Sequence, residues 1–100
     1  MTQTAEINRL EDWLRKQTPR IDVAVHCVGI ARDSILTKMS DQAWRESLDV
    51  NLKSAYRITR LLLPWFIRQR EGHFLFVSSW AARAGRAGQA NYAASKAGLI

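Results

Sequence analysis

A single cysteine, Cys27, in 100 residues leaves no internal disulfide and suits a reducing compartment. Long apolar runs are missing too. The longest, "LLLPWFI" at residues 61–67, falls far short of the roughly 20 residues that a membrane-spanning helix needs. The opening stretch, "MTQTAEINRLEDWLRKQ", carries acids and an amphipathic pattern. A secretory signal would instead place a short apolar run before a small-residue cleavage site. These absences lead us to expect a cytoplasmic protein with no membrane contact. Acids are also in short supply: nine against fifteen lysines and arginines, a formal charge of +6. Such an excess invites a nucleic-acid reading. Yet the bases stand scattered (Arg15, Lys16, Lys38, Lys53, Arg57, Arg60). No zinc-finger spacing, RNA-binding aromatic signature or basic zipper accompanies them, so no nucleic-acid partner is expected.

What is present is a core. Nearly half the residues are apolar, enough for one domain and too few residues for two. From Thr4 to Gln17, apolar positions at Ile7, Leu10, Trp13 and Leu14 form a helical stripe flanked by a Glu11–Arg15 pair. The helix is expected to stop by Thr18, because Pro19 disfavours helical backbone just before it. "IDVAVHCVGI" then reads as a strand buried on both faces, ended by Gly29. Ser40 caps a helix starting at "DQAW". Its apolar pattern continues through Trp44, Leu48, Leu52, Leu62, Leu63 and Phe66 to "RQREG", with a kink expected at Pro64 and Gly72 as the residue beyond the end. "HFLFVSS" reads as a second buried strand, "WAARAGRAGQ" as a loop, and a last helix starts at Asn91.

Helix, strand, long helix, strand, helix is the order of a parallel sheet with crossover helices. The expected class is α/β, a partial doubly wound parallel sheet of Rossmann type. Residues 1–100 then form one incomplete nucleotide-binding domain, cut at both ends. Such a piece would expose strand edges and apolar faces, and alone it is expected to fold poorly.

The chemistry concentrates in "SSWAARAGRAGQANYAASKAG". Tyr92 and Lys96 are four residues apart, one turn of a helix, among alanines, serines and glycines that leave their face open. An ammonium ion beside a phenol favours the phenolate. On their own the two read as an amphipathic surface pair. Ser79 alone could be a turn residue, and Asn51 alone could cap the kink of the long helix. His26 and Cys27 read as buried strand residues and not as a metal pair, since no further ligand stands at usable spacing. Trp44, Trp65 and Phe66 read as core or subunit-contact residues.

Taken together, "VAVHCVGI", "DVNLKSAY" and "FVSSWAARAGRAGQANYAASKAGLI" resemble the short-chain dehydrogenase/reductase family over nearly the whole chain. Ser79 stands thirteen positions before Tyr92, the spacing typical of that family. The resemblance implies a nicotinamide-dependent oxidoreductase that reduces a ketone to a secondary alcohol. Tyr92 is then the general acid, and Lys96 binds the nicotinamide ribose. Ser79 bonds the carbonyl oxygen, Asn51 holds a water that relays protons to Lys96, and Gly29 lets the backbone approach the cofactor. "GQANYAASKAGLI" is most similar to the 3-oxoacyl-(acyl-carrier-protein) reductase branch. That implies NADP as cofactor, with NAD open, and a β-ketoacyl thioester on an acyl carrier protein as substrate. Arg83 and Arg86 are candidates to meet the carrier's acids or phosphate, and the long helix is a candidate oligomer contact.

The sequence also departs from the family. His26-Cys27-Val28-Gly29 stands where the family has Asn-Asn-Ala-Gly, so His26 inherits the first asparagine's role of tying strands together. Val28 is bulkier than the alanine it replaces. The Gly-rich phosphate loop, Thr-Gly-x-x-x-Gly-x-Gly, is not in this sequence. A second reading therefore stands beside the first: a chain without cofactor binding, acting through its long helix as an interaction or dimerisation module.

Overall fold

The computed structural model describes residues 4–100. Helix α1 (Thr4–Gln17) buries Ile7 and half-buries Leu10 and Leu14 while Trp13 of the same stripe is exposed, and it gives way at Thr18 as Pro19 requires. Strand β1 (Val23–His26) follows. After a short 3₁₀ turn, Leu36–Lys38, helix α2 (Asp41–Leu48) starts on Ser40, whose hydroxyl accepts the Ala43 N–H at 3.0 Å. Helix α3 (Ser54–Gln69) leads to strand β2 (His73–Phe76). A one-turn helix, α4 (Ala81–Ala84), and helix α5 (Ala90–Ala97) complete the order. The strands pair in parallel, Val23 beside His73 through His26 beside Phe76. The α/β class with a parallel pair and crossover helices is therefore present.

Four details differ from the sequence-based expectations. The strands are covered on one face only. His26 is buried, and Ala24, Phe74 and Phe76 are partly covered, while Val23, Val25, Leu75 and Val77 are exposed. Continuous apolar strands need cover on two faces, and α3 covers one: the Phe66 ring sits 4.8 Å from that of Phe74. Cys27 is accordingly exposed, not buried. The long helix is interrupted at Asp49–Lys53, where one turn of π-helix joins α2 to α3, while α-helix runs on through Pro64. Its left-handed terminal residue is Arg70 (φ 58°), not a glycine. Gly72 serves packing instead, since a Cβ there would lie 2.1 Å from Cγ of Phe66. Lastly, the expected loop of residues 80–89 contains α4, with Gly85 and Gly88 at positive φ behind it. Trp65 and Phe66 are core residues as expected, whereas Trp44 is partly exposed.

Candidate active site

Both strands end toward the same side, and α5 lies across their C-terminal ends. Three hydrogen bonds hold it there. The Ser78 hydroxyl, just past β2, donates to the Lys96 carbonyl at 2.7 Å. The Lys96 ammonium donates to the carbonyls of Val77 (3.1 Å) and Val28 (3.4 Å), one from each strand end. Lys96 is buried, and a buried ammonium needs such partners. Of its three N–H donors, two are used by these carbonyls. Gly29 suits this arrangement, because a Cβ on it would lie 3.0 Å from Lys96 Nζ and crowd the ammonium. The glycine thus leaves room for the lysine, and it also lines the cleft described next.

A cleft of about 530 Å³ opens in front of the strand ends. Gly29, Ser79, Tyr92 and Lys96 all line it, together with Trp80 and Arg86. Lys96 Nζ lies 5.9 Å from the centre of the Tyr92 ring, so one helical turn does place the two on one face. Ser79 sits two residues before α4, its Oγ accepting the Ala81 N–H at 3.2 Å. Arg86 reaches this cleft; Arg83 is exposed and not among the residues lining it.

Asn51 lies behind the cleft wall and is fully buried. Its amide pairs with the Ile30 peptide much as a strand would: Oδ1 accepts the Ile30 N–H at 2.7 Å, and Nδ2 donates to the Ile30 carbonyl at 2.9 Å. The second amide hydrogen goes to Ser95 Oγ at 2.9 Å. Ser95 in turn donates to the Tyr92 carbonyl at 2.7 Å. Of the side chain's hydrogen-bonding capacity, only the second lone pair of Oδ1 is left for a water.

Three positioning residues escaped sequence reasoning. Ser95 is the link just described. Asn91, fully buried, donates to the carbonyls of Arg32 (2.9 Å) and Ala43 (3.2 Å), and so ties the start of α5 to the loop after β1 and to α2. Only its place directly before Tyr92 could have drawn notice. Ser54 stands 2.9 Å from His26 Nε2. The His26 side chain therefore ties β1 to α3, while its backbone carbonyl, accepting the Val77 N–H at 3.0 Å, makes the tie between strands. Burial, and secondarily the charge of Lys96, hold the His26 pKa below its usual value. Among the described residues no cluster of three His, Cys, Asp or Glu side chains could hold a metal. No described helix is long and apolar enough to cross a membrane.

Known proteins are similar to this chain along all or nearly all of its length. The chain is 39% identical over 100 residues to a 3-oxoacyl-(acyl-carrier-protein) reductase of Thermotoga maritima and 34% identical over 100 to that of Escherichia coli K12. It is 41% identical over 95 residues to that of Staphylococcus aureus. It is covered completely in the first two alignments and to 95% in the third, yet it spans only 41%, 41% and 39% of those relatives' own lengths. The profile of the short chain dehydrogenases matches residues 1–100. With a serine, tyrosine and lysine gathered at parallel strand ends and that match from end to end, the chain belongs to the short chain dehydrogenase family.

Proposed function

We propose that this chain supplies the proton-transfer side of an NADPH-dependent reductase acting on a 3-oxoacyl thioester. The observation that carries the reading is the single cleft shared by Ser79, Tyr92 and Lys96 at the strand ends. Open α/β sheets bind their ligands beyond these ends. The residues fit a nicotinamide riboside. Lys96 has one N–H not committed to the strand carbonyls and Tyr92 carries a hydroxyl, so both can hold ribose hydroxyls. The bound cofactor supplies a hydride to the carbonyl carbon.

The remaining work falls to this chain. Ser79 Oγ donates to the carbonyl oxygen and stabilises the charge that develops there. Tyr92 Oη gives that oxygen its proton, so that C=O plus hydride plus proton becomes a secondary alcohol. The Lys96 ammonium, 5.9 Å from the centre of the Tyr92 ring, attracts the negative charge left on the tyrosine. Asn51 keeps Ile30 and α5 in register and, through its one remaining lone pair, offers a place for a relay water. Relatives named for acyl-carrier-protein substrates favour a β-ketoacyl chain on that carrier. Arg86, exposed at the cleft, suits a phosphate or carboxylate near the thioester arm.

The test is Tyr92→Phe in the protein carrying this sequence, assayed with NADPH and a 3-oxoacyl thioester. The expected loss in kcat is about 10²- to 10⁴-fold, with NADPH affinity nearly intact. No turnover by the parent protein, or affinity falling in parallel with kcat, overturns the assignment. NADH replacing NADPH at equal kcat/KM would reverse the cofactor preference alone. For quaternary structure, Tyr56, Leu63 and Ile67 form an exposed apolar line along α3. This line supports a homo-oligomer through that helix, and Ile67→Glu should lower the mass seen by light scattering. An unchanged mass would remove α3 from the interface.

A further inference from the structure

A π turn inside a helix marks a place where something holds the backbone out of its regular ladder. In an α-helix the Ser54 N–H would bond the Val50 carbonyl. Here it reaches back to Asp49 O instead, and the Ser54 hydroxyl donates to the Val50 carbonyl in its place. With its one proton committed, Ser54 Oγ can serve His26 only as an acceptor. His26 Nε2, at 2.9 Å, is therefore the donor. That assigns the imidazole as the neutral tautomer with its proton on Nε2. Both side chains are buried, and His26 Nδ1 has no partner among the described residues.

We infer that His26 and Ser54 are a positioning pair, holding the π turn at the height where Asn51 meets both Ile30 and Ser95. The inference rests on the proposed roles of Tyr92 and Lys96. From Asn51 the coupling runs two ways. Ile30 follows Gly29, whose missing Cβ leaves room for Lys96 Nζ. Ser95 precedes Lys96 and donates to the Tyr92 carbonyl. A turn that relaxes toward α-helix moves Asn51 relative to both, and so shifts the tyrosine and lysine against the strand ends. Misplacement by about 1 Å is enough to cost on the order of 10²-fold in rate.

The experiment compares Ser54→Ala, His26→Leu, the double variant and His26→Gln, whose amide can still donate to Ser54 Oγ. Two readouts are taken: steady-state kinetics with NADPH and a 3-oxoacyl thioester, and hydrogen exchange of the Ile30 amide, which Asn51 protects. Each single removal should lower kcat about 10-fold with KM within about twofold. Ile30 exchange should speed up about 10-fold. The double variant should be no worse than the poorer single, and His26→Gln should recover most of both readouts. Unchanged kcat and Ile30 exchange in Ser54→Ala overturns the pair. So do effects that multiply in the double variant, or a His26→Gln as poor as His26→Leu. If the parent protein turns over no ketone, the reductase reading has failed, and Ile30 exchange by itself then upholds or overturns the pair.

Discussion

Replacing Asn51 by alanine should unfasten the end of β1 from α5. The side chain is fully buried and makes three hydrogen bonds, two of them with the Ile30 peptide. Removal strands the Ile30 N–H and carbonyl, at about 1–3 kcal/mol for each group left unpaired. Ser95 keeps its bond to the Tyr92 carbonyl, so it adds little. Water entering the vacated volume recovers part of the loss, and the expected destabilisation is about 2–4 kcal/mol. That is a large fraction of a typical domain's total. Ser95→Ala should cost less, about 1 kcal/mol. Because both changes delete the Asn51–Ser95 bond, the double variant should be more stable than the sum predicts by at least about 0.5 kcal/mol. Urea unfolding of the four proteins at one pH measures all of this. A loss under about 0.5 kcal/mol for Asn51→Ala, or strict additivity, would show that the amide does not fasten these segments.

Gly72→Ala should destabilise by about 1–3 kcal/mol, because its Cβ would lie 2.1 Å from a Phe66 ring already packed on Phe74. A urea midpoint equal to the parent's would contradict that. For His26, the folded pKa lies below the ordinary 6.5 through burial first and the Lys96 charge second. Between the folded value and 6.5 the unfolded chain binds more protons, so stability falls as pH drops through this window and is unaffected above it. The melting temperature of the parent should therefore fall more between about pH 7.5 and pH 5.5 than that of His26→Gln. Parallel curves would mean that His26 is as easily protonated folded as unfolded.

Strand, helix and strand were legible because periodicity is local: the stripe of Ile7 and Leu10, or the β-branched run before His26, needs no knowledge of partners. The cleft residues were legible too. Tyr92 and Lys96 share a face by helical geometry, and Ser79 follows a strand. Burial on two faces was not legible, since Val25 and Leu75 report a preference for cover but not whether cover is present. The π turn was hidden because its cause is a contact across 28 residues, His26 to Ser54, that no window along the chain can contain. Gly72 misled for a related reason. Its position suggested a helix end, whereas the ring of Phe66 explains it.

The parallel pairing has a kinetic consequence. Val23 meets His73 fifty residues away, and no hairpin can bring them together. Between them, α2 and α3 are built on hydrogen bonds made nearby in sequence and can form early, whereas the π turn waits for His26 to reach Ser54. Loop-closure entropy rises slowly with length, by about 0.6 kcal/mol per doubling, so distance alone does not forbid the pairing. It does place the sheet late, after α3 exists as a surface for Phe74 and Phe76 to settle on. Until then two apolar strands are present with unpaired edges, and a growing chain is most vulnerable to self-association in that interval. Lys96 then acts as the final latch: its ammonium can find the carbonyls of Val28 and Val77 together only once the strands lie side by side. The residue proposed for proton transfer is thereby also a reporter of completed folding, and the site cannot assemble in a chain whose strands have not yet met.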